Sequence, residues 1–358
     1  MPDSPARTSA VTRVRVALLV VATLTVTGCG LRLETPPPEP PVPDAAETVR
    51  QRTVADAVAL QDLAGGTEHP DPAVQLVLDA VAEASAAHVD ALGGVYDPGT
   101  DPVGPEPSTG VPDTSPTPTA GRQDGDAAGG GGGGTADGET SADETVEVLV
   151  DALAETSATA TADADAVEDG TVARVLAAVA TSRLLLGERL AVADGAPAEG
   201  ADRAEPWPAT APAVLPEGVT ETDVLPLVTA EDLAGQAWEV VAARREGDAR
   251  AVAAERAVVH RERARAWAEA TEVAGTGLDP RRAGYALPPG LLSGEEPAAT
   301  EDLATLETGL ADAYATLVAR AAPTQRTPLL AASADATAAA ASLTGRLPTF
   351  PGMPELAG

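Results

Sequence analysis

Residues 299–321 read ATEDLATLETGLADAYATLVARA. Leu303, Leu306, Leu310, Ala313, Tyr314 and Leu317 recur at steps of three and four. That spacing lays one apolar stripe along an α-helix and does not fit the strict alternation of a half-buried strand. Thr300 ahead of Glu301 and Asp302 puts negative charge where a helix N-terminus favours it. The preceding segments follow the same period. Leu233, Ala234, Ala237, Trp238 and Val241 mark a helix over 229–246, with Thr229 ahead of Glu231 and Asp232 as its start. Val252, Val259, Ala266 and Ala270, with Trp267 beside them, mark another over 249–273. Gly247-Asp248 between them is a tight turn, so the two form an antiparallel hairpin. Further helices are expected over 45–64, 71–93, 142–167, 171–193 and 327–345. Asp71 ahead of Pro72 caps one of these, and Gly93-Gly94 closes it. Alanine, the best helix former, dominates, and period-two alternation is almost absent. The fold class is all-α.

Three stretches interrupt the helices. Residues 34–44, ETPPPEPPVPD, cannot be helical and read as an extended polyproline spacer. Residues 97–140 are rich in Pro, Thr and Asp and end near the glycine run Gly129–Gly134; they lack the apolar content to fold. Residues 195–220 are again rich in Ala, Pro and Glu, with Trp207 between two prolines. The expected organisation is therefore a leader over 1–28, a stalk over 29–44, an N-terminal helical unit over 45–194 containing the disordered linker 97–140, a linker over 195–220, and a helical bundle over 221–358. Five of the seven aromatic residues follow residue 220, so the C-terminal bundle is expected to have the better-formed core.

The leader carries Arg7, Arg13 and Arg15, then an apolar run from Val16 to Val26, too short for a bilayer span of ~20 residues. It ends in Val26-Thr27-Gly28-Cys29, which resembles the bacterial lipobox. That resemblance implies a signal peptide cleaved between Gly28 and Cys29, the single cysteine of the chain, and a diacylglyceryl group on its thiol. A lipid-anchored protein at the extracytoplasmic face of the cell membrane is the expectation, with the membrane as one partner and an envelope protein as another.

Composition removes much chemistry. The 358 residues include no Lys, no Asn and no Ile, as in a high-GC, actinobacterial type of genome. Without Lys there is no phosphate-loop motif, Schiff base or Ser-x-x-Lys acylase, and one Cys allows no internal disulfide or thiolate zinc cluster. A formal net charge of -32 excludes nucleic acid as a partner, because phosphate neutralisation dominates that affinity. The three histidines His69, His88 and His260 form no His-Glu-x-x-His motif, and no Gly-x-Ser-x-Gly elbow is present. No catalytic residue is assigned.

A set of packing and turn signals recurs in the C-terminal third: Leu233-Ala234, the run Val240 to Arg244, Gly247-Asp248-x-Arg250, His260-Arg261, Tyr285-Ala286-Leu287-Pro288, Leu306-Glu307-x-x-Leu310-Ala311-x-Ala313-Tyr314, Asp335-Ala336 and Phe350-Pro351-Gly352-Met353-Pro354. With these, residues 229–354 resemble a ferritin-like domain family of unassigned function. The resemblance implies a four-helix bundle of two helix pairs joined by a crossover, here 274–298. Di-iron members of that superfamily carry one Glu on each of two helices and Glu-x-x-His on each of the other two. The positions to compare are Glu239, Glu255, His260, Glu307 and Asp335. Glu255 and His260 lie five residues apart, about 140° around a helix, and no His follows Asp335. The ligand set reads as lost, and no metal or cofactor beyond the lipid on Cys29 is expected. Glu83 and His88 repeat the five-residue Glu–His spacing, which raises a degenerate duplicate bundle as one reading of the N-terminal unit. Function on this reading is structural or binding, at the cell envelope. The alternatives are a metal-handling or oxidoreductase ferritin-like protein, and an extracytoplasmic subunit of a membrane enzyme or transporter.

Overall fold

Nine α-helices and one short 3-10 turn make up the described part of this computed structural model, which covers residues 43–96, 142–195 and 211–356. Gly28, Cys29, the Pro-rich stalk before residue 43, the whole of the 97–140 linker and Trp207 lie outside it. In chain order the helices are α1 (Ala45–Gly65), α2 (Pro72–Ala91), α3 (Ala142–Ala166), α4 (Gly170–Ala193), α5 (Glu221–Ala242), α6 (Gly247–Ala270), α7 (Pro289–Ser293), α8 (Glu296–Arg320) and α9 (Thr327–Thr344). Carboxylates set three starts. Asp44, Asp71 and Asp169 each accept backbone N–H bonds at the head of α1, α2 and α4, satisfying donors a helix leaves open.

Consecutive helices pair as hairpins: α1 with α2, α3 with α4, α5 with α6 and α8 with α9. The first two hairpins form an N-terminal bundle, with α2 against α4 and α1 against α3. The last two form a C-terminal bundle in which α5 lies against α8. The bundles meet where α4 packs on α8, so all described residues belong to one compact unit. Gly170 makes that approach close, since a Cβ there would sit 1.9 Å from the carbonyl oxygen of Ala319. Fully buried Arg326 ties the same junction. Its guanidinium donates to the carbonyls of Ala321 and Ala164 at 2.9 Å and of Val167 at 2.5 Å, and its amide to Asp165 at 2.7 Å.

The N-terminal bundle has its own core of Leu60, Val74, Leu78, Val81, Leu149, Leu153, Leu186 and Leu190. Its shortage of aromatics does not leave it open, because long aliphatic side chains fill the space. The C-terminal core is built on Trp267 and Tyr314 and continues into the N-terminal half through Ala164, Val167, Ala173 and Leu176. No described helix is long and apolar enough to cross a membrane.

Two helix starts differ from the sequence reading. The helix expected at 229 begins at Glu221, because the Thr220 amide donates to Asp223 at 2.9 Å and closes a capping box. Pro226 is accommodated near this start, where it forgoes a single helical hydrogen bond. Thr229 is mid-helix and bonds back to Leu225, and Glu231 and Asp232 are buried, not first-turn charges. The helix expected at 299 begins at Glu296, and Asp302 instead accepts the amide of Leu291 across the turn from α7. Within the stretch read as a linker, Val219 is buried and Ala211 and Leu215 pack on the core.

Candidate functional site

Inside the C-terminal bundle, α6 meets α8 and α9 through long side chains, and most of these are charged. His260 on α6 is fully buried between two fully buried carboxylates. Its Nδ1 lies 2.6 Å from Glu231 of α5 and its Nε2 3.0 Å from Glu307 of α8. With an acceptor at each nitrogen, the ring satisfies both only as the imidazolium. Arg256 of α6 grips Glu307 with two nitrogens, at 3.0 and 2.8 Å, and reaches Asp335 of α9 at 2.6 Å. Arg263, one turn beyond His260, pairs with the same Asp335 oxygen at 2.7 Å. Trp238 Nε1 donates to Glu307 at 2.8 Å, the Tyr314 hydroxyl donates to Glu231 at 2.5 Å, and Trp267 Nε1 donates to that hydroxyl at 3.2 Å.

The charges balance: Glu231, Glu307 and Asp335 face Arg256, Arg263 and protonated His260. His260, Glu307 and Asp335 are biased accordingly. Burial alone would depress the His260 pKa, but Glu307 and Glu231 outweigh it and hold the pKa above the ordinary value. Burial would raise Glu307, but His260 and Arg256 hold it well below the carboxylate range. Asp335 is lowered in the same way, with Arg256 and Arg263 overcoming burial. Tyr314 is pushed far up by burial and by the Glu231 charge.

The linkage gives a pH signature. A histidine whose folded pKa is raised contributes stability that is complete below its unfolded value, ~6.5, and is lost as pH rises through the folded pKa. Thermal melts from pH 6 to 10 are therefore expected to show a falling Tm on the alkaline side that His260→Gln flattens. Equal slopes in the two proteins would contradict the imidazolium assignment.

The sequence-derived positions separate. His260 and Glu307 touch directly, Asp335 joins Glu307 through Arg256, and Asp335 also pairs with Arg263. Glu255 is exposed, on the opposite side of α6 from His260. Glu239 is half exposed and paired with Arg261 at 2.8 Å. The fourth helix that contributes is α5, through Glu231 and not Glu239. Glu231 was missed because Thr229 made it look like a first-turn charge. Arg256 and Arg263 were missed because an arginine on an Ala-rich helix ordinarily reads as solvated surface.

A second polar cluster pins the crossover to α5. Buried Asp232 accepts from Arg261 at 2.5 Å, the Tyr285 hydroxyl at 2.7 Å and the Arg282 amide at 3.2 Å. Burial and Asp232 push the Tyr285 pKa up to about 12. Among the described residues, His69, Asp143 and Asp194 also lie close enough to share a cation. There, however, His69 Nδ1 accepts the Asp71 amide at 3.1 Å. The ring proton therefore sits on Nε2 and faces Asp143 at 3.1 Å, a hydrogen bond where a ligand lone pair would be needed. A shallow cleft of about 430 Å³ on the outer side of α5 and α6 is lined by Arg250, Arg261, Arg265, Glu239 and small apolar residues.

Residues 226–355 match a family described as a domain of unknown function (DUF4439). That span contains Glu231, His260, Glu307, Asp335 and the arginines between them. No curated protein and no solved structure is similar to the chain.

Proposed function

We propose that this chain is a lipid-anchored protein of the cell envelope whose C-terminal bundle is a ferritin-like fold without a metal centre, serving a structural or binding role. The observation that carries the reading is the place of Arg256. Its guanidinium is held by Glu307 and Asp335 at 2.6–3.0 Å, between carboxylates contributed by α8 and α9. A di-iron bundle collects Glu and His side chains from its four helices to neutralise two metal ions. Here Glu231, His260, Glu307 and Asp335 converge from four helices, but their negative charge is already matched by two guanidiniums and the imidazolium. Both His260 nitrogens face carboxylates at 2.6 and 3.0 Å, which leaves no ring lone pair for a cation. The residues do not fit a metal pair. What remains is a rigid, water-excluding bundle with no nucleophile or open site among these groups. The lipobox-like stretch Val26-Thr27-Gly28-Cys29, followed by a Pro-rich spacer, supports its place outside the membrane.

The reading is tested on the full chain expressed in a bacterium with lipoprotein processing. It is expected to fractionate with membranes, to lose this on Cys29→Ala, and to carry below a tenth of an equivalent of iron, manganese or zinc by elemental analysis. One or two equivalents of metal that disappear on Glu307→Gln would overturn the metal-free reading. Membrane association unchanged by Cys29→Ala would overturn the anchor.

A further inference from the structure

The motif Phe350-Pro351-Gly352-Met353-Pro354 has no part in the buried network, yet it is tightly placed. After α9 ends at Thr344, capped by Gly345, the chain runs back over the N-terminal bundle. Leu347 packs against that bundle's core, and Pro351, Gly352 and Met353 are buried. Gly352 has φ +72°, and a Cβ there would lie 2.4 Å from that of Ala315 on α8, so glycine is required twice over. Arg174 of α4 donates to the Gly352 carbonyl at 2.5 Å and pairs with Glu355 at 2.6 Å. Arg189 of α4 donates to the Gly345 carbonyl at 3.2 Å, and fully buried His88 of α2 makes a further contact. Its Nε2–H donates to the Thr349 carbonyl at 3.0 Å, and its ring stands edge-on to Phe350 with centroids 5.3 Å apart. Its Nδ1 is buried without a hydrogen-bond partner.

We propose that residues 345–356 are an acid-released strap, closed over the N-terminal bundle by neutral His88 and opened when that ring takes a second proton. The geometry supplies the switch. With Nε2–H committed to Thr349, a new proton must go on Nδ1, where no acceptor stands. The charged group facing the ring is Arg183 of α4, itself fully buried and 3.6 Å from Asp56 of α1. On the strap side, Glu355 is held by Arg174. A second cation beside Arg183 has nothing to balance it. Burial, with Arg183 adding to it against the Thr349 bond, lowers the His88 pKa from 6.5 to about 4. A depressed histidine works in the opposite sense to His260. Closure is complete above ~6.5, weakens as pH falls towards the folded pKa, and changes no further below it. Across the whole titration, from well above ~6.5 to well below the folded pKa, the open-to-closed ratio grows about 300-fold, uncovering Leu347, Phe350 and Met353.

Hydrogen exchange of the full chain tests this. The Met353 amide, which donates to the Phe350 carbonyl at 3.2 Å, reports strap opening. Its protection, relative to the unstructured rate at each pH, is expected to fall by two orders of magnitude or more between pH 7 and pH 4, while peptides from the core of α2 keep theirs. In His88→Gln the amide still donates to Thr349 but cannot titrate, so protection should stay flat. A fall that persists in His88→Gln would belong to Glu355 and Arg174 and would overturn the proposal, as would protection that never falls in the wild type. If the variant strap is open at every pH, the wild-type ring decides by NMR. A His88 midpoint near 6.5 overturns the switch, and one near 4 upholds it.

Discussion

Glu307→Ala is expected to destabilise the chain by about 3–5 kcal/mol, the cost of removing one partner from a buried ion pair. The reason is the number of groups left behind. Glu307 accepts from Arg256 twice, from His260 and from Trp238. Its removal leaves a guanidinium, an imidazolium and an indole N–H facing a cavity in a bundle interior. His260 would lose its proton and Arg256 would keep only Asp335, so part of the cost is recovered by neutralisation, which sets the lower bound. For a folded unit of this size each kcal/mol moves Tm by about 2–4 °C, so a fall of roughly 6–20 °C is expected by calorimetry. Glu307→Leu combined with Arg256→Met should recover much of the loss, because an apolar replacement of a whole buried pair is often neutral. A single variant within 1 kcal/mol of wild type would mean that water reaches the network and that the charges are not buried.

Trp267→Ala is expected to cost a similar amount, about 3–5 kcal/mol, through a different mechanism. Trp267 is fully exposed to the core and not to solvent, at 0 % accessibility, and packs with Val224, Val228, Leu310 and Leu317 in the cluster shared by both bundles. Its removal leaves a large cavity and frees the Tyr314 hydroxyl from one neighbour, although Tyr314 still donates to Glu231. Denaturant unfolding followed by circular dichroism checks this, with the slope unchanged and the midpoint lowered. Trp267→Phe should recover about half, since it restores volume without the N–H. If Trp267→Ala instead splits the transition in two, with the α1–α4 bundle unfolding separately, the shared core is the cooperative link between the bundles.

Much of this arrangement was legible in one dimension. The helices over 45–65, 72–91, 142–166 and 170–193 follow from alanine content, capping aspartates and glycine stops, all of which act within a few residues of one another. The stripe Leu303, Leu310, Tyr314 and Leu317 is buried in α8, as its period requires. The offset between Glu255 and His260 likewise puts one outside and the other at 0 % exposure. The start of α5 was obscured because Thr229 ahead of Glu231 and Asp232 is a local signal of the same kind as those that succeeded elsewhere, while the Thr220–Asp223 box competed with it and won.

The residues of the buried network could not be chosen from sequence. Arg256 and Arg263 have the same composition signature as Arg250 and Arg265, which remain on the surface, and Glu231 has that of any first-turn acid. Whether an arginine is buried depends on which carboxylates face it across the bundle, a matter of helix pairing between α5, α6, α8 and α9. The same holds for His88, whose partner Thr349 is 261 residues away. The sequence by itself determined that the chain is helical and roughly where most of its helices lie. The tertiary structure alone decided which charges are buried together, because local propensity is set by neighbours in the chain and ion pairing by neighbours in space.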